Sequence, residues 1–247
     1  MSYNRFAYIY DMLMNHAPYE QWVNFTNALI HQSNKEIKSI VDLGCGTGEI
    51  AIRLSDLGYD VTGVDYSTEM LTAAAQKALN RNKKISWIKQ DIRDLEGFNK
   101  IDLMVSYCDV INYITEKEDL LDVFKRVHAS LTEQGMFIFD IHSIYYAEEK
   151  LINHTFADVT EDIAYIWECE QGEKRGEMYH YLTFFQKDKQ HYSRFDETHH
   201  QQVYEINVYK DLLKASGFSK IDIYGDFLIE NQFSEKNSER IFICVQK

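Results

Sequence analysis

The sequence predicts an α/β fold with a mostly parallel sheet, interrupted by an antiparallel insert. Short apolar runs recur through residues 39–142 and alternate with stretches of helical spacing, which is typical of strand–helix–strand units. After about residue 150 the pattern changes to longer aromatic segments separated by polar turns, which is typical of antiparallel strands. We therefore predict an α/β core formed by residues 1–152 and 207–247, and an antiparallel β insert at 153–206.

The net charge of the chain disfavours some classes of binding partner. Its 247 residues include 39 acidic and 26 basic side chains, which give a formal net charge of −13. Such a surface repels phosphate, so composition does not favour nucleic acid or an anionic membrane as a partner. No apolar run is long enough to span a bilayer, and the start lacks the pattern of a signal peptide. The four cysteines are scattered without a CxxC pair, so we expect a cytoplasmic protein and no metal site.

The first 35 residues are predicted to be helical. Phe6, Ile9, Tyr10 and Leu13 share one helical face near the start of this segment. Such an apolar stripe either belongs to the core or contacts a ligand, and the spacing does not decide between these two roles.

A glycine-rich turn follows the first strand. In IVDLGCGTGEI, residues 40–50, three glycines occupy five positions between an apolar run and a helix. Glycine allows a sharp turn and lets a ligand approach main-chain amides that a Cβ atom would screen. The start of the next helix favours an anionic group at the same place. A tight turn without a ligand is the simpler interpretation of this motif alone.

Two acidic residues at later strand ends strengthen the ligand interpretation. Asp65 ends the next strand about twenty residues on, where a carboxylate can accept from both hydroxyls of a ribose. Asp91 ends the third strand, within reach of an adenine amino group. A single acid at a strand end is more often a helix cap, but three successive strand ends of this kind indicate an adenosine compound.

The spacing of the glycines argues against a dinucleotide. A dinucleotide loop has the pattern GxGxxG, whereas here Gly48 comes one residue early and Glu49 would face the pyrophosphate. The phosphate-loop pattern GxxxxGK[ST] is absent from the sequence. An adenosine ligand without phosphates, carrying an amino-acid tail and a positively charged sulfonium, fits this acidic site.

These motifs resemble those of the class I S-adenosylmethionine-dependent methyltransferases. VDLGCGTG is similar to the first motif of that superfamily, VDYSTEML to the second, QDIRDL to the third and SYCDVINYI to the fourth. The opening segment and the aromatic insert resemble small stand-alone bacterial members with an antiparallel lid. The resemblance implies a Rossmann-like seven-stranded sheet of order 3-2-1-4-5-7-6, in which strand 7 is antiparallel.

The resemblance also implies how the cofactor is bound. Asp42 would hold the methionine ammonium group, Asp65 the ribose and Asp91 the adenine edge. Tyr66, Met70 and Ile92 would enclose the adenine, and the main chain of Cys108 would contact the methionine part. The N-terminal helices would cover the cofactor. The predicted set is completed by the loop residues Gly44, Cys45, Gly46, Thr47 and Gly48 and by Tyr10 of the first helix.

Candidate catalytic residues lie at the ends of the fourth and fifth strands. Methyl transfer mainly requires a positioned nucleophile and the exclusion of water, and it needs a base only when the nucleophile arrives protonated. His142 follows the fifth strand, and Asp109, Asn112 and Tyr113 follow the fourth. We predict that His142, Asn112 and Tyr113 are the catalytic residues. The alternative for each of them is a purely structural role.

The acceptor is expected to be a small molecule with a nitrogen or oxygen nucleophile. The fourth motif contains no proline, so it lacks the [DN]PP[YF] clamp with which related enzymes stack a flipped base. Methylation of RNA or protein stays an alternative. So do a non-catalytic S-adenosylmethionine-binding module with a protein partner and a nucleotide-dependent oxidoreductase.

The insert is predicted to be a lid over the acceptor, a homodimer face, or both. Its aromatic residues would provide rigid walls, although ordinary strand packing explains them equally well. His199 and His200 are adjacent in a predicted strand and point to opposite faces, which disfavours a shared metal. The residues concerned are Tyr179, Tyr181, Phe184, Phe185, His191, Tyr192, Phe195, His199 and His200.

Overall fold

A computed structural model describes residues 4–247, with side chains for all of them except residues 4–8, 15, 231 and 232. Phe6 of the predicted helical stripe lies outside the described side chains, and residues 1–3 of the predicted helical segment lie outside the described chain. No helix in the part of the chain so described is long and apolar enough to cross a membrane.

The large sheet has eight strands in the order β11-β10-β12-β5-β4-β1-β2-β3. Strands β1 to β5 are parallel, and β12 is antiparallel to both β5 and β10. The predicted order 3-2-1-4-5-7-6 is therefore confirmed, with β12 as strand 7 and β10 as strand 6. The edge strand β11, antiparallel to β10, was not predicted. The strands are β1 (Ser39–Leu43), β2 (Asp60–Asp65), β3 (Ser86–Lys89), β4 (Ile101–Ser106), β5 (Leu131–His142), β10 (Lys220–Gly225), β11 (Leu228–Gln232) and β12 (Arg240–Gln246).

Helices cover both faces of this sheet. Along β5, Phe137 and Phe139 pack in the cluster that contains α5 and α7, whereas Ile138 packs in the cluster that contains α2 and α3. This alternation follows from the two-residue period of a strand whose two faces are both buried. The helices are α1 (Asn4–Leu13), α2 (Tyr19–Ser33), α3 (Glu49–Asp56), α4 (Thr68–Asn80), α5 (Lys117–Ser130), α6 (Ile144–Tyr146) and α7 (Ile206–Ala215).

A second, antiparallel sheet of four strands follows α6. Its strands pair in chain order, as a meander joined by short turns. They are β6 (His154–Val159), β7 (Ile163–Gln171), β8 (Glu177–Asp188) and β9 (His191–Gln202).

Helix α1 packs on the antiparallel sheet. Ile9 is fully buried in a cluster with Ile163 and Phe184, and Leu13 packs against the same cluster. The insert and the N-terminal helix therefore form one layer, at the end of the large sheet where the parallel strands finish.

Candidate functional site

The glycine-rich turn between β1 and α3 is held in a conformation that glycine favours. Gly44, Gly46 and Gly48 have φ angles of 73°, 52° and 82°, in the left-handed region. The amides of Gly44 and Cys45 both donate to the Val64 carbonyl oxygen, at 2.8 and 2.9 Å, which ties the turn to the end of β2. A Cβ atom on Gly44 would lie 2.5 Å from the Val110 side chain, so this position has no room for alanine.

Gly48 is packed against neighbouring side chains and does not line a cavity. A Cβ atom there would lie 2.7 Å from the Trp87 ring and 3.0 Å from the Ala74 side chain. The residue caps the start of α3 and does not line either cavity described below. Gly48 therefore lies between two residues that line the first cavity, Thr47 and Glu49, and is itself packed against β3 and α4.

Asp65 ends β2 with its carboxylate fixed by main-chain donors. The Gly46 amide donates to Oδ2 at 2.7 Å, and the Ser67 amide donates to Oδ1 at 2.8 Å. Burial raises the pKa of Asp65, while these amide donors oppose the rise. Each oxygen keeps lone-pair capacity for another donor, so the carboxylate can accept from two neighbouring hydroxyls.

Asp42, on β1, has a buried oxygen without a partner. The residue is 2% exposed, and its Oδ2 is one of two buried side-chain oxygens in the described part of the chain without a hydrogen bond. Burial, and then the nearby charge of Asp65, raise the pKa of Asp42 to about 7. A buried carboxylate of this kind is costly unless a cationic ligand pairs with it, and Asp42 faces a cavity that can admit one.

Asp91 lies just after β3 and caps a short helical turn. Its carboxylate accepts from the Arg93 side chain at 2.6 Å and from the Arg93 amide at 2.9 Å. The Arg93 side chain lowers the pKa of Asp91, so the carboxylate is ionised at neutral pH. Asp91 therefore both caps this helical turn and lines the first cavity.

These groups surround the first cavity, of about 450 Å³, at the end of the parallel strands. Tyr66 is 72% exposed at its rim, while Met70 and Ile92 are buried in its wall. Sequence reasoning did not identify Tyr19, Gln90 or Val110, which also line it. Of the predicted ligand-binding residues, the first cavity is lined by Tyr10, Asp42, Gly44, Cys45, Gly46, Thr47, Asp65, Tyr66, Met70, Asp91, Ile92 and Cys108.

A lysine connects α1 to the glycine-rich turn. Lys77 Nζ, on α4, donates to Asp11 at 2.7 Å, to Thr47 Oγ1 at 3.0 Å and to Glu49 Oε1 at 2.7 Å. The Thr47 hydroxyl also donates to Asp11. Burial would raise the pKa of Glu49, but the hydrogen bonds from Lys77 and Arg53 hold it below its usual value.

The second cavity, of about 370 Å³, lies between the large sheet and the antiparallel sheet. Its walls come from α1, from the ends of β4, β5 and β12, and from β7, β8 and β9. It shares four residues with the first cavity, so the two cavities adjoin. The shared residues are Tyr10, Cys108, Tyr113 and His199.

The predicted catalytic residues occupy three different positions. His142 lines the second cavity, with Nε2 3.4 Å from Asp109 Oδ1. Tyr113 lines both cavities, and its hydroxyl lies 3.0 Å from His199 Nδ1. Asn112 is fully buried and lines neither cavity.

Asn112 is instead a connector inside the core. Its side-chain oxygen accepts from the His142 amide at 2.9 Å, and its side-chain nitrogen donates to the Gln202 carbonyl at 3.2 Å and the Tyr209 hydroxyl at 3.3 Å. It therefore joins the end of β5 to the end of β9.

Asp109 is the most extensively paired carboxylate of the second cavity. It accepts from Gln201 Nε2 at 2.9 Å and lies 3.3 Å from Arg240 Nη2. Burial would raise the pKa of Asp109, but His142, Arg240 and Gln201 hold it well below its usual range. Arg240 also contacts the buried Asp140 at 2.5 Å. No local sequence pattern pointed to Arg240 or Gln201.

Two of the histidines in the insert also differ in their surroundings. His199 faces Tyr113, whereas His200 lies 2.9 Å from Glu177 and stacks on Tyr179. Among the described residues, no group of three or more histidine, cysteine, aspartate or glutamate side chains could hold a metal ion.

Comparisons with known proteins identify related chains. A family model described as a methyltransferase domain matches residues 40–135. YqeM of Bacillus subtilis strain 168, whose name describes it as a methyltransferase, is 40% identical over 248 residues, covering 100% of this chain and 98% of YqeM.

Solved structures show the same likeness. An S-adenosylmethionine-dependent methyltransferase from Clostridium acetobutylicum ATCC 824 is 33% identical with a TM-score of 0.89, over 100% of this chain and 99% of that one. The sugar N-methyltransferase KedS8 from Streptoalloteichus sp. ATCC 53650 is 17% identical with a TM-score of 0.80, over 97% and 92% of the two chains. At that identity the likeness to KedS8 shows the fold alone.

Proposed function

Since this chain belongs to the class I S-adenosylmethionine-dependent methyltransferases, we propose that it methylates a nitrogen or oxygen atom of a small molecule held in the second cavity. The observation that carries the proposal is the common wall of the two cavities. A methyl donor in the first cavity and an acceptor in the second would meet at Tyr10, Cys108, Tyr113 and His199. Methyl transfer requires such direct contact between donor and acceptor.

The residues of the first cavity fit the cofactor. The unpartnered Oδ2 of Asp42 is suited to the methionine ammonium group, and Asp65 is suited to the two ribose hydroxyls. Asp91 can accept from the adenine amino group while it keeps its contact with Arg93. At Gly46 a Cβ atom would meet nothing within 4 Å, so there is open space beside the main chain at this position. S-adenosylmethionine supplies a methyl group bonded to a positively charged sulfur.

The chain's own task is to orient the acceptor and exclude water. The bound cofactor would supply the methyl group to the lone pair of the acceptor atom, and the residues of this chain would hold that atom in position. Tyr113 and Tyr10 stand at the common wall, where they can fix the position of the acceptor atom. His142 lies in the second cavity and can take a proton from an acceptor that arrives protonated.

The insert forms an apolar wall of the second cavity, and this wall limits the size of the acceptor. Tyr165, Trp167, Leu182 and Phe184 supply an apolar wall of the second cavity. Of the nine aromatic and histidine residues singled out in the sequence of the insert, Phe184 and His199 line this cavity, while Tyr181 and Tyr192 are exposed on the sheet. We propose that the insert acts as the lid over the acceptor.

The proposal is tested with S-adenosylmethionine that carries a labelled methyl group. The purified chain is incubated with it and a cell extract, which is then separated into small molecules, RNA and protein. We expect S-adenosylhomocysteine to form and the label to appear among the small molecules. Asp65→Ala should abolish the labelling, whereas Asp188→Asn, an exposed substitution at the β8–β9 turn, should not change it.

Each alternative predicts a different outcome. Label in RNA or protein would contradict the small-molecule acceptor. Binding of S-adenosylmethionine without any conversion would indicate the non-catalytic module. Tighter binding of NAD than of S-adenosylmethionine would indicate a nucleotide-dependent oxidoreductase.

A further inference from the structure

The second cavity contains a negative charge that its guanidinium group does not balance. Two carboxylates, Asp109 and Asp140, share one arginine, Arg240. Arg240 lies closer to Asp140, at 2.5 Å, than to Asp109, at 3.3 Å. Asp140 is fully buried behind the wall, where it also accepts from Trp22 Nε1 at 2.8 Å, whereas Asp109 lines the cavity. Burial raises the pKa of Asp140, whereas the pKa of Asp109 is held low by its partners. With both carboxylates ionised and His142 neutral, the charge that Arg240 leaves unbalanced lies at Asp109, 3.4 Å from His142 Nε2.

A chain of hydrogen bonds with a defined donor direction favours the ionised form of Asp109. Trp167 Nε1 donates to His180 Nδ1 at 3.0 Å, so the proton of a neutral His180 is on Nε2. Burial lowers the pKa of His180 to about 4, which makes the ring neutral at physiological pH. His180 Nε2 then donates to Gln201 Oε1 at 3.2 Å, and this orients Gln201 Nε2 toward Asp109. The insert thus presents a donor to Asp109 and favours its ionised form.

The remaining walls suit an organic cation. Tyr146, Tyr165, Trp167 and Phe184 place aromatic rings around the second cavity. The faces of aromatic rings attract cations, and a carboxylate at one end of such a cavity fixes where the charged group binds. Arg240 also lines the cavity, but it is already paired with Asp109 and Asp140. A ligand carboxylate would therefore be repelled by Asp109, and a neutral hydroxyl would gain no charge pairing.

We propose that the second cavity binds the methyl acceptor as an organic amine in its ammonium form, with Asp109 as the counter-charge. This inference rests on the proposed function and narrows its nitrogen or oxygen acceptor to an amine. The cavity volume corresponds to about a dozen water molecules at roughly 30 Å³ each, which is room for a single ring or a short chain.

The ammonium group has to lose a proton before it can accept a methyl group. The electron pair of the broken N–H bond stays on nitrogen and becomes the nucleophile. His142, with Nε2 3.4 Å from Asp109, accepts the proton. Asp109 therefore pairs with the ammonium group before transfer and with the imidazolium group after it.

Three probes of matched shape test the charge preference: 2-phenylethylamine, 2-phenylethanol and phenylacetate. Each is titrated by calorimetry into the full chain saturated with S-adenosylhomocysteine, so that no turnover is needed. We expect the amine to bind at least about tenfold more tightly than the alcohol or phenylacetate. Amine binding no tighter than that of the other two, which includes no measurable binding of any probe, would overturn the proposal.

Two variants locate the effect at Asp109. Asp109→Asn should remove the preference for the amine and change the affinity for 2-phenylethanol less than about threefold. Asp188→Asn alters the net charge equally at an exposed turn and should leave all three affinities unchanged. A folded Asp109→Asn variant that retains the amine preference would overturn the role of Asp109. If Asp109→Asn does not fold, the wild-type comparison decides alone.

The same titrations separate the two proposals. Failure of S-adenosylhomocysteine to bind would contradict the proposed function itself. Equal binding of the three probes to the S-adenosylhomocysteine complex would contradict the amine acceptor and leave the proposed function in place.

Discussion

The two adjoining cavities are built in opposite ways. The first is formed mainly by consecutive strand ends and the turns that follow them, between Asp42 and Arg93. Its lining includes four acidic residues, Asp42, Glu49, Asp65 and Asp91. The second is formed by residues far apart in the chain, which come from α1, the ends of two parallel strands, three strands of the insert and β12. The positions in the first depend on local backbone geometry, whereas those in the second depend on one another. Substitutions in the first cavity should therefore remove single contacts, and substitutions in the second should disturb several at once.

The largest expected effect tests whether the first cavity binds the cofactor independently. Asp65→Ala should weaken S-adenosylmethionine binding by about 2–4 kcal/mol, because two ribose hydroxyls lose a charged acceptor. Calorimetry with the ligand-free variant measures this loss. Asp109→Asn removes a carboxylate from the second cavity and should change cofactor affinity less than about tenfold. Equal losses in the two variants would show that the cavities are not separate in function.

The glycines test how much of the first cavity depends on backbone geometry. Gly44→Ala should lower the free energy of unfolding by about 3 kcal/mol, because it adds a clash with Val110 to the cost of a left-handed residue. Gly46→Ala should lower it by only about 1 kcal/mol, because nothing lies within 4 Å of the added Cβ atom. Urea unfolding of the ligand-free variants measures both. Similar losses at the two positions would contradict the packing role of Gly44.

A substitution at Asn112 tests how strongly the stability of the protein depends on the link between the ends of β5 and β9. Asn112→Ala should lower the free energy of unfolding by about 2 kcal/mol, because the His142 amide and the Gln202 carbonyl lose buried partners. Cofactor affinity should stay within about threefold, since the residue lines neither cavity. The control Asn80→Ala, exposed on α4, should cost less than about 0.5 kcal/mol. Unchanged stability together with lost turnover would instead support the catalytic role predicted from the sequence.

A pH dependence tests the protonation of Asp42. Its pKa of about 7 lies above that of the unfolded chain, so the ligand-free protein should lose stability as the pH rises from about 4 to 7 and level off above. Cofactor affinity should change in the opposite direction and rise up to about tenfold per pH unit toward pH 7, because the ligand ammonium pairs with the ionised carboxylate. Calorimetry between about pH 6 and 8 and thermal unfolding measure the two trends. Asp42→Asn should flatten both, and a slope that persists in this variant would assign it to another group.

The difference between the cavities also explains what the sequence could predict. The strand order follows from the resemblance of four motifs to those of a known superfamily. The polar groups of the first cavity follow from local signals, since each strand end there carries its own glycine or aspartate. Gly48 has the same local signal but packs against Trp87, a contact that depends on how α3 and β3 meet in three dimensions. Asn112 and His142 both follow strand ends, as the sequence predicts. The side chain of Asn112 points into the core, whereas that of His142 lines the second cavity. Arg240 lies 131 residues from Asp109 in the chain, so no spacing rule could join them.

Helix α1 forms part of the wall of both cavities. Tyr10 lines both of them, Leu13 lines the second, and Asp11 is held by Lys77 and Thr47 beside the first. A displacement of this one helix would widen access to both cavities at the same moment. We therefore expect the exchange of the methyl donor and of the acceptor to depend on the same helix, which the Lys77–Asp11 contact holds in place. Weakening this partly buried ion pair should then accelerate the departure of both products together.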